Sequence, residues 1–284
     1  VLGFTKMVLK LLEEKQPALV AIVFDAKGPT FRHEIYEAYK ANRPPMPDDM
    51  AVQLPPLKQI VRSLGIQSFE MAGYEADDII GTWARICEAE GLKVVMVTGD
   101  KDFRQLVTPD ASLWDTMKDQ VTSYDSIKAA YGFEPVKFID VMGLSGDSSD
   151  NIPGVPGVGE KTAVRLIQEF GSFEAVFDRV EEITQKKLKE NLKSHRDDAF
   201  LSRRLVTIDR FVPLQGDIEQ LRLGQPSEAE LTALFRDLEF RGLWDQFASP
   251  HKGDTAYRLC QSMEDLECLA QETVSYTHLR AHET

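Results

Sequence analysis

Two unbroken apolar runs constrain most strongly what this chain can fold into. Leu19-Val20-Ala21-Ile22-Val23-Phe24 stops abruptly at Asp25, and Lys93-Val94-Val95-Met96-Val97 ends in Thr98-Gly99-Asp100. Short β-branched runs with no polar alternation predict strands buried on both faces of a mainly parallel sheet. Residues 66–71 and 112–115 carry weaker strand signals. Helical patterns lie between them; over 77–90, Ile79, Ile80, Trp83 and Ile86 share one side. This alternation predicts an α/β class with a doubly wound, mainly parallel sheet.

From Tyr124 onward the strand signals give way to helices at 126–131, 136–143, 160–170 and 172–179, then a Lys-rich stretch at 184–204. Ser227-Glu228-Ala229-Glu230 reads as a capping box opening a helix with Leu231, Leu234, Phe235 and Leu238 on one face. Residues 27–56 break the alternation. A helix is expected from Phe31 to Lys40, ended by Asn42-Arg43-Pro44-Pro45-Met46-Pro47. Excursions of that length are usually functional or disordered. Residues 248–255 have linker composition, and 256–273 begin a new unit with a strand near Tyr257 and Leu259. The last eleven residues, 274–284 (VSYTHLRAHET), read as adapter read-through, and the chain opens on Val1 directly into an amphipathic helix. The expectation is a fragment open at both ends.

Composition narrows the function. The 284 residues hold 33 Lys and Arg against 46 Asp and Glu, a net charge of −13. That argues against a nonspecific polyphosphate binder and leaves room for one local basic groove. Cys87, Cys260 and Cys268 lack metal-ligand spacing and read as free thiols of a reducing compartment. No apolar stretch approaches the ~18 residues of a membrane helix, so a cytoplasmic chain with no membrane partner is expected.

Acidic residues gather at element ends. Asp25 closes one buried run, and Asp100 and Asp102 close the other, two apart and facing the same way on extended backbone. Glu75, Asp77 and Asp78 sit where a helix should begin, with Glu75 and Asp78 at i, i+3. Asp147 and Asp150 repeat that spacing in a Gly/Ser-rich loop. Any one cluster is what ordinary caps and turns supply. Together, eight carboxylates would meet at the carboxyl edge of the strands, where open parallel sheets bind ligands. So many like charges need cations among them. Oxygen-only donors select hard ions such as Mg²⁺ or Mn²⁺, and two such ions can bracket one phosphodiester.

Asn151 to Ala163 reads NIPGVPGVGEKTA, a glycine-rich turn before a helix starting near Glu160. Backbone amides at such a helix start can meet a phosphate, with Lys161 and Thr162 adding contacts. Glu160 between Gly159 and Lys161 excludes a Walker A loop. The turn would read duplex backbone rather than sequence. A phosphatase using Asp100 and Asp102 is a rival, and it leaves the glycine-rich turn unexplained. Lys186, Lys187, Lys189, Lys193, Arg196, Arg203 and Arg204 form the densest basic stretch; an exposed helix pair and a duplex-contacting surface are both open readings.

Six segments, in this order, resemble the 5′ nuclease domains of bacterial DNA polymerase I. They are Phe24-Asp25-Ala26-Lys27 with Phe31-Arg32, Tyr39-Lys40-Ala41-Asn42-Arg43, Tyr74-Glu75-Ala76-Asp77-Asp78, Thr98-Gly99-Asp100-Lys101-Asp102, Gly146-Asp147-Ser148-Ser149-Asp150-Asn151, and residues 153–163. The resemblance spans about residues 1–247, and 256–273 is similar to the start of the 3′–5′ exonuclease-type domain that follows in those polymerases. It implies an α/β nuclease core at 1–143 with a helical arch at about 27–56, then an all-helical subdomain at 144–247 carrying a helix–hairpin–helix element at 153–163. It implies a two-metal site of Glu75, Asp77, Asp78, Asp100, Asp102, Asp147 and Asp150 with Asp25 beside them. Lys40 and Arg43 would lie nearest the scissile phosphate, with Arg32 as a further phosphate-positioning cation. Gly154, Val155, Gly157, Val158, Gly159, Lys161 and Thr162 would grip duplex DNA, with a K⁺ ion there.

The implied activity is two-metal 5′–3′ exonuclease and 5′-flap cleavage, with Mg²⁺ or Mn²⁺, on flaps, nicks and RNA primers in replication and repair. The implied setting is a nucleoid-associated monomer. A free-standing 5′ nuclease and a catalytically dead DNA-binding fragment are the alternatives. Two departures stand out: the family's first strand, with its Asp, is missing here, and Pro55-Pro56 would kink the helix after the arch.

Overall fold

The computed structural model describes residues 1–247. The linker at 248–255, the new unit at 256–273 and the terminal 274–284 lie outside the described residues. Helix α1 (Leu2–Lys15) leads into strand β1 (Ala21–Val23). Short helices α2 (Phe31–Ile35) and α3 (Asp48–Ala51) occupy the excursion. Then come α4 (Leu54–Ser63), β2 (Gln67–Phe69), α5 (Ala76–Ala89), β3 (Val94–Val97), β4 (Ala111–Asp115), β5 (Gln120–Thr122) and α6 (Tyr124–Tyr131).

β1 pairs parallel with β2, setting Ile22 opposite Ser68. β3 pairs parallel with β4, which turns back on β5. The sheet therefore comes in two pieces, and α5 packs on both β1 and β3. Burial on both faces fails for β3. Met96 joins the main core, while Val95 and Val97 on the other face are 56% and 37% exposed. Among the described residues, α5 packs on β3.

The second half is helical: α7 (Phe138–Ser145), α8 (Glu160–Phe170), α9 (Phe173–Asp178), α10 (Lys186–Ser194), α11 (Arg196–Val206), α12 (Glu228–Asp237) and α13 (Arg241–Phe247). Phe138, Leu144, Leu166, Ile167, Phe173, Leu192 and Leu205 fill its core, which continues into Met96, Phe103 and Leu106 of the α/β layer. Helix α12 folds back: Leu231 and Phe235 pack with Val8, Ile60 and Val61.

Three local expectations change. Pro55 and Pro56 sit in the first turn of α4, where a missing N–H costs nothing, so they open the helix and do not kink it. Ser227 precedes α12 but makes no side-chain cap; Glu230 accepts from the Ser63 hydroxyl at 2.7 Å instead of closing a capping box. The helix expected to reach Lys40 ends at Ile35, because the chain there is pinned to the loop at 147–151. The Lys40 amide donates to Asp150 O (2.9 Å) with a left-handed φ of 55°, and Asn151 Nδ2 donates to Ala38 O at 2.6 Å.

The loop closes on itself through two backbone bonds between Asp147 and Ile152. Beside it Gly146 and Gly154 touch backbone to backbone: a Cβ on Gly154, whose φ is +59°, would lie 2.3 Å from the Gly146 nitrogen. Gly154→Ala combines a left-handed conformation with that clash. It should lower unfolding free energy by about 2 kcal/mol or more, read as the urea midpoint; an unchanged midpoint would show that the loop can move aside.

Candidate active site

Each carboxylate is delivered by the end of an element. Asp25 follows β1, and its Oδ1 accepts from the Ala76 amide at 2.8 Å, tying that strand to the start of α5. Glu75 is the residue before α5 and Asp77 lies in its first turn, where carboxylates suit the positive helix end. Asp100 follows β3 and accepts from the Asp102 amide at 2.9 Å, turning the chain into the 3₁₀ segment Lys101–Leu106. Asp147 accepts from the Ser149 amide at 2.7 Å, which shapes the loop that ends in Asp150.

These elements meet around one cleft of about 300 Å³. Asp25, Glu75, Asp77, Asp100, Asp102, Asp147 and Asp150 line it, together with Lys40, Arg43, Lys101 and Ser149. Lys40 Nζ lies 2.6 Å from Glu75 Oε1 and 3.6 Å from Asp150 Oδ2. Arg43 pairs with Asp150. The Tyr39 hydroxyl lies 3.1 Å from Glu75 Oε2 and 3.3 Å from Asp150 Oδ2, bridging the helix start and the distant loop. Tyr39 stands beside Lys40 in the sequence but was assigned no role there; only its buried hydroxyl distinguishes it.

Crowding shows in the proton affinities. Burial first, then the charges of Asp100, Glu75 and Asp25, push Asp77 up to about 7. Burial, with Asp100 and Asp147, pushes Asp102 up to about 6. Burial and Glu75 drive the Tyr39 phenol above its ordinary value, so it stays protonated. Asp102 Oδ1 is buried with no hydrogen-bond partner.

Two expected site residues are elsewhere. Asp78 does not face the cleft. It is fully buried, and Arg32 clamps it with two 2.7 Å bonds. Its Oδ2 also accepts from the Glu75 amide at 3.0 Å and its Oδ1 from the Asp209 amide at 2.8 Å. One turn of helix does bring Glu75 and Asp78 together, but the backbone cap draws Asp78 inward. Arg32, 2% exposed, cannot reach a phosphate in this arrangement; it also donates to Leu205 O and Thr207 O. Burial opposes its charge, and Asp78 and Glu75 overcome that and raise its pKa.

In the glycine-rich turn, Val155 and Val158 are core residues, so their side chains do not present to DNA. The Gly154 amide is spent on the Ser202 hydroxyl (2.8 Å) and that of Val155 on Leu144 O (2.8 Å). The amides of Gly157, Gly159, Glu160 and Lys161 carry no hydrogen bond among the described residues, and Gly157, Gly159 and Lys161 are exposed. Thr162, half-buried, follows in the first turn of α8. In the basic stretch, Lys189 and Lys193 pair with Glu181 and Arg203 with Asp140 and Glu174, leaving Lys186, Lys187, Arg196 and Arg204 exposed.

Comparison with known proteins follows this geometry. Residues 1–132 match the 5′-3′ exonuclease N-terminal resolvase-like domain, and 133–229 match the 5′-3′ exonuclease C-terminal SAM fold. The chain belongs to the 5′-3′ exonuclease family. The DNA polymerase I of Bacillus caldotenax is 40% identical over 255 residues, covering 88% of this chain and 29% of the polymerase. That of Pseudomonas aeruginosa is 45% identical over 250 residues, covering 86% of this chain and 27% of the polymerase. The chain thus spans under a third of these relatives and corresponds to their 5′-3′ exonuclease part. The T5 5′-exonuclease with zinc bound aligns with a TM-score of 0.61 at 20% identity, covering 86% of this chain and 87% of its own. The catalytic core of Rad2 in complex with DNA substrate aligns at 0.60 and 20%, covering 87% and 82%. These two share the fold.

The raised Asp77 has a thermodynamic consequence. The unfolded carboxyl ionises near its ordinary value, the folded one only near 7, so the folded state holds an extra proton in between. Its contribution to stability therefore falls as pH rises from about 4 to 7 and stays lost above. In chelator, Asp77→Asn should gain melting temperature over wild type as pH goes from 5 to 8. A gap that does not change with pH would contradict the crowding.

Proposed function

We propose that this chain hydrolyses phosphodiesters in DNA near a junction of a 5′ single strand and duplex, acting on 5′ flaps, nicks and RNA-primed ends. The carrying observation is the single cleft where seven carboxylates from four separate stretches of sequence surround Lys40 and Arg43. A division at 1–143 and 144–247 into nuclease core and helical DNA-binding part accompanies this reading. Excision of primers and nick translation by the parent polymerase, as a monomer at the nucleoid, is the setting it implies. No described helix is long and apolar enough to cross a membrane.

The donor set fits hard divalent ions. It is oxygen-only, and the partnerless Asp102 Oδ1 is an acceptor in want of a cation. Among the described residues no three His, Cys, Asp or Glu side chains, as they stand, are placed to hold a metal ion; Lys40 and Arg43 hold Glu75 and Asp150 in ion pairs. Asp25, Glu75, Asp77, Asp100, Asp102, Asp147 and Asp150 would hold two Mg²⁺ or Mn²⁺. Such ions lower the pKa of water and stabilise a leaving oxyanion.

The chain's own residues do the rest. Lys40 and Arg43 place positive charge where the phosphate must enter, offsetting charge that builds on it. Tyr39 keeps Glu75 and Asp150 at a fixed separation. The free amides of Gly157, Gly159, Glu160 and Lys161 lie at or just before a helix start and would meet the duplex backbone, with Thr162 adding a hydroxyl; a K⁺ ion held at this turn would add positive charge toward the phosphates.

The test is cleavage of a 5′-labelled flap duplex in Mg²⁺. Asp77→Asn and Asp147→Asn should each lower kcat on the order of 100-fold. Variants that cleave like wild type would remove the cleft from the chemistry.

A further inference from the structure

The C-terminus of α11 and the residues after it are gripped by side chains from α2, from α5 and from the 3₁₀ segment Lys101–Leu106. A helix leaves its last carbonyls without partners. Here Leu205 O accepts from Arg32 Nε (2.8 Å), Val206 O from Gln105 Nε2 (3.0 Å) and Thr207 O from Arg32 Nη2 (2.9 Å). The Ile208 amide donates to Gln105 Oε1 at 3.0 Å, and the Asp209 amide to Asp78 Oδ1 at 2.8 Å. The Val212 amide donates to the Thr82 hydroxyl at 3.1 Å. Arg32 precedes the Tyr39-Lys40 segment, Asp78 and Thr82 belong to the helix that Glu75 begins, and Gln105 follows Asp100 and Asp102.

Gln105 is the decisive member. It is buried, all its hydrogen-bonding atoms are engaged, and its Nε2 also donates to Asp102 O at 3.1 Å. One side chain thus ties the backbone of a cleft carboxylate to the helix end from the DNA-binding half. A glutamine buried in this way has no use in phosphodiester chemistry itself. We propose that residues 205–212 form a rack that sets the spacing of Glu75 and Asp77 against Asp100 and Asp102, with Gln105 and Arg32 as positioning residues. Built on the nuclease reading, the rack links helices that hold duplex to the site that cuts it. Losing a rung leaves the carboxylates present but mis-spaced, which weakens ion binding and turnover more than DNA affinity.

The test uses Gln105→Leu, close in volume and unable to bond the rack, and Thr82→Val, which removes the rung at Val212. Val176→Ala, in the core of α9 away from the cleft, supplies a control with comparable loss of melting temperature. Free Mn²⁺ counted by electron paramagnetic resonance gives ion affinity without turnover, and flap cleavage gives kcat and KM. Gln105→Leu should weaken Mn²⁺ binding at least fivefold and lower kcat at least tenfold, with KM for the flap within twofold. Thr82→Val should move the same way by less, and Val176→Ala should leave Mn²⁺ affinity unchanged. Should Gln105→Leu fail to fold, Thr82→Val carries the test on the same two measurements. The rack is overturned if Mn²⁺ affinity stays within twofold of wild type, or if Val176→Ala weakens it equally. Wild type that neither binds Mn²⁺ nor cleaves the flap overturns the nuclease reading instead.

Discussion

Mutual repulsion among seven carboxylates around one cleft governs the rest of this structure. Two like charges ~4 Å apart cost about 4 kcal/mol at an effective dielectric of 20, so the cluster persists only with compensation. Three forms are visible. Protons stay on Asp77 and Asp102 well above the usual carboxylate range. Lys40 and Arg43 reach in from the excursion to Glu75 and Asp150. Beneath the cleft, Arg32 neutralises Asp78 and leans 3.3 Å from Glu75. The first two forms can be exchanged for other cations or for substrate, while the third is locked in the interior. Breaking such a buried pair typically costs 3–5 kcal/mol.

That division separates cleft from scaffold among residues that look alike on paper. Asp77 and Asp78 are adjacent and chemically close, yet one lines the cleft and the other anchors the helix. Arg32 and Arg43 lie eleven positions apart in the same basic segment, and only Arg43 reaches the cleft. The excursion at 27–56 therefore has a rigid foot and a cationic tip: α2 is fixed by Arg32, and Lys40, Asn42 and Arg43 lie on the loop at 147–151.

Much of the site was legible in the sequence because each acidic residue follows a clear signal. Asp25 and Asp100 end apolar runs, Glu75 begins a periodic helix, and Asp147 and Asp150 sit in a Gly/Ser loop. Spacing gives the face of an element but not which way a capping side chain turns, so Asp78 was misplaced. The glycine-rich turn was legible as a turn, whereas the burial of Val155 and Val158 depends on a core assembled from residues as distant as Met96 and Ile208. Ser227 lost its capping partner to Ser63, a residue 164 positions earlier. Gln105 and Tyr39 were invisible because their partners lie up to 111 residues away, a separation no local pattern encodes.

The net charge of −13 fits this arrangement. Seven of the acids are confined to the cleft, and others are matched on the helical half by Lys189, Lys193 and Arg203. Exposed basic residues on the helical half that carries the free amides include Lys161, Arg165, Lys186, Lys187, Arg196 and Arg204. The most direct measurement is anomalous diffraction from crystals soaked in Mn²⁺. The account predicts peaks inside the cleft, among Asp25, Glu75, Asp77, Asp100, Asp102, Asp147 and Asp150. Peaks only outside that cleft, with Lys40 and Arg43 still closing it, would contradict the claim that this crowd of carboxylates exists to hold cations.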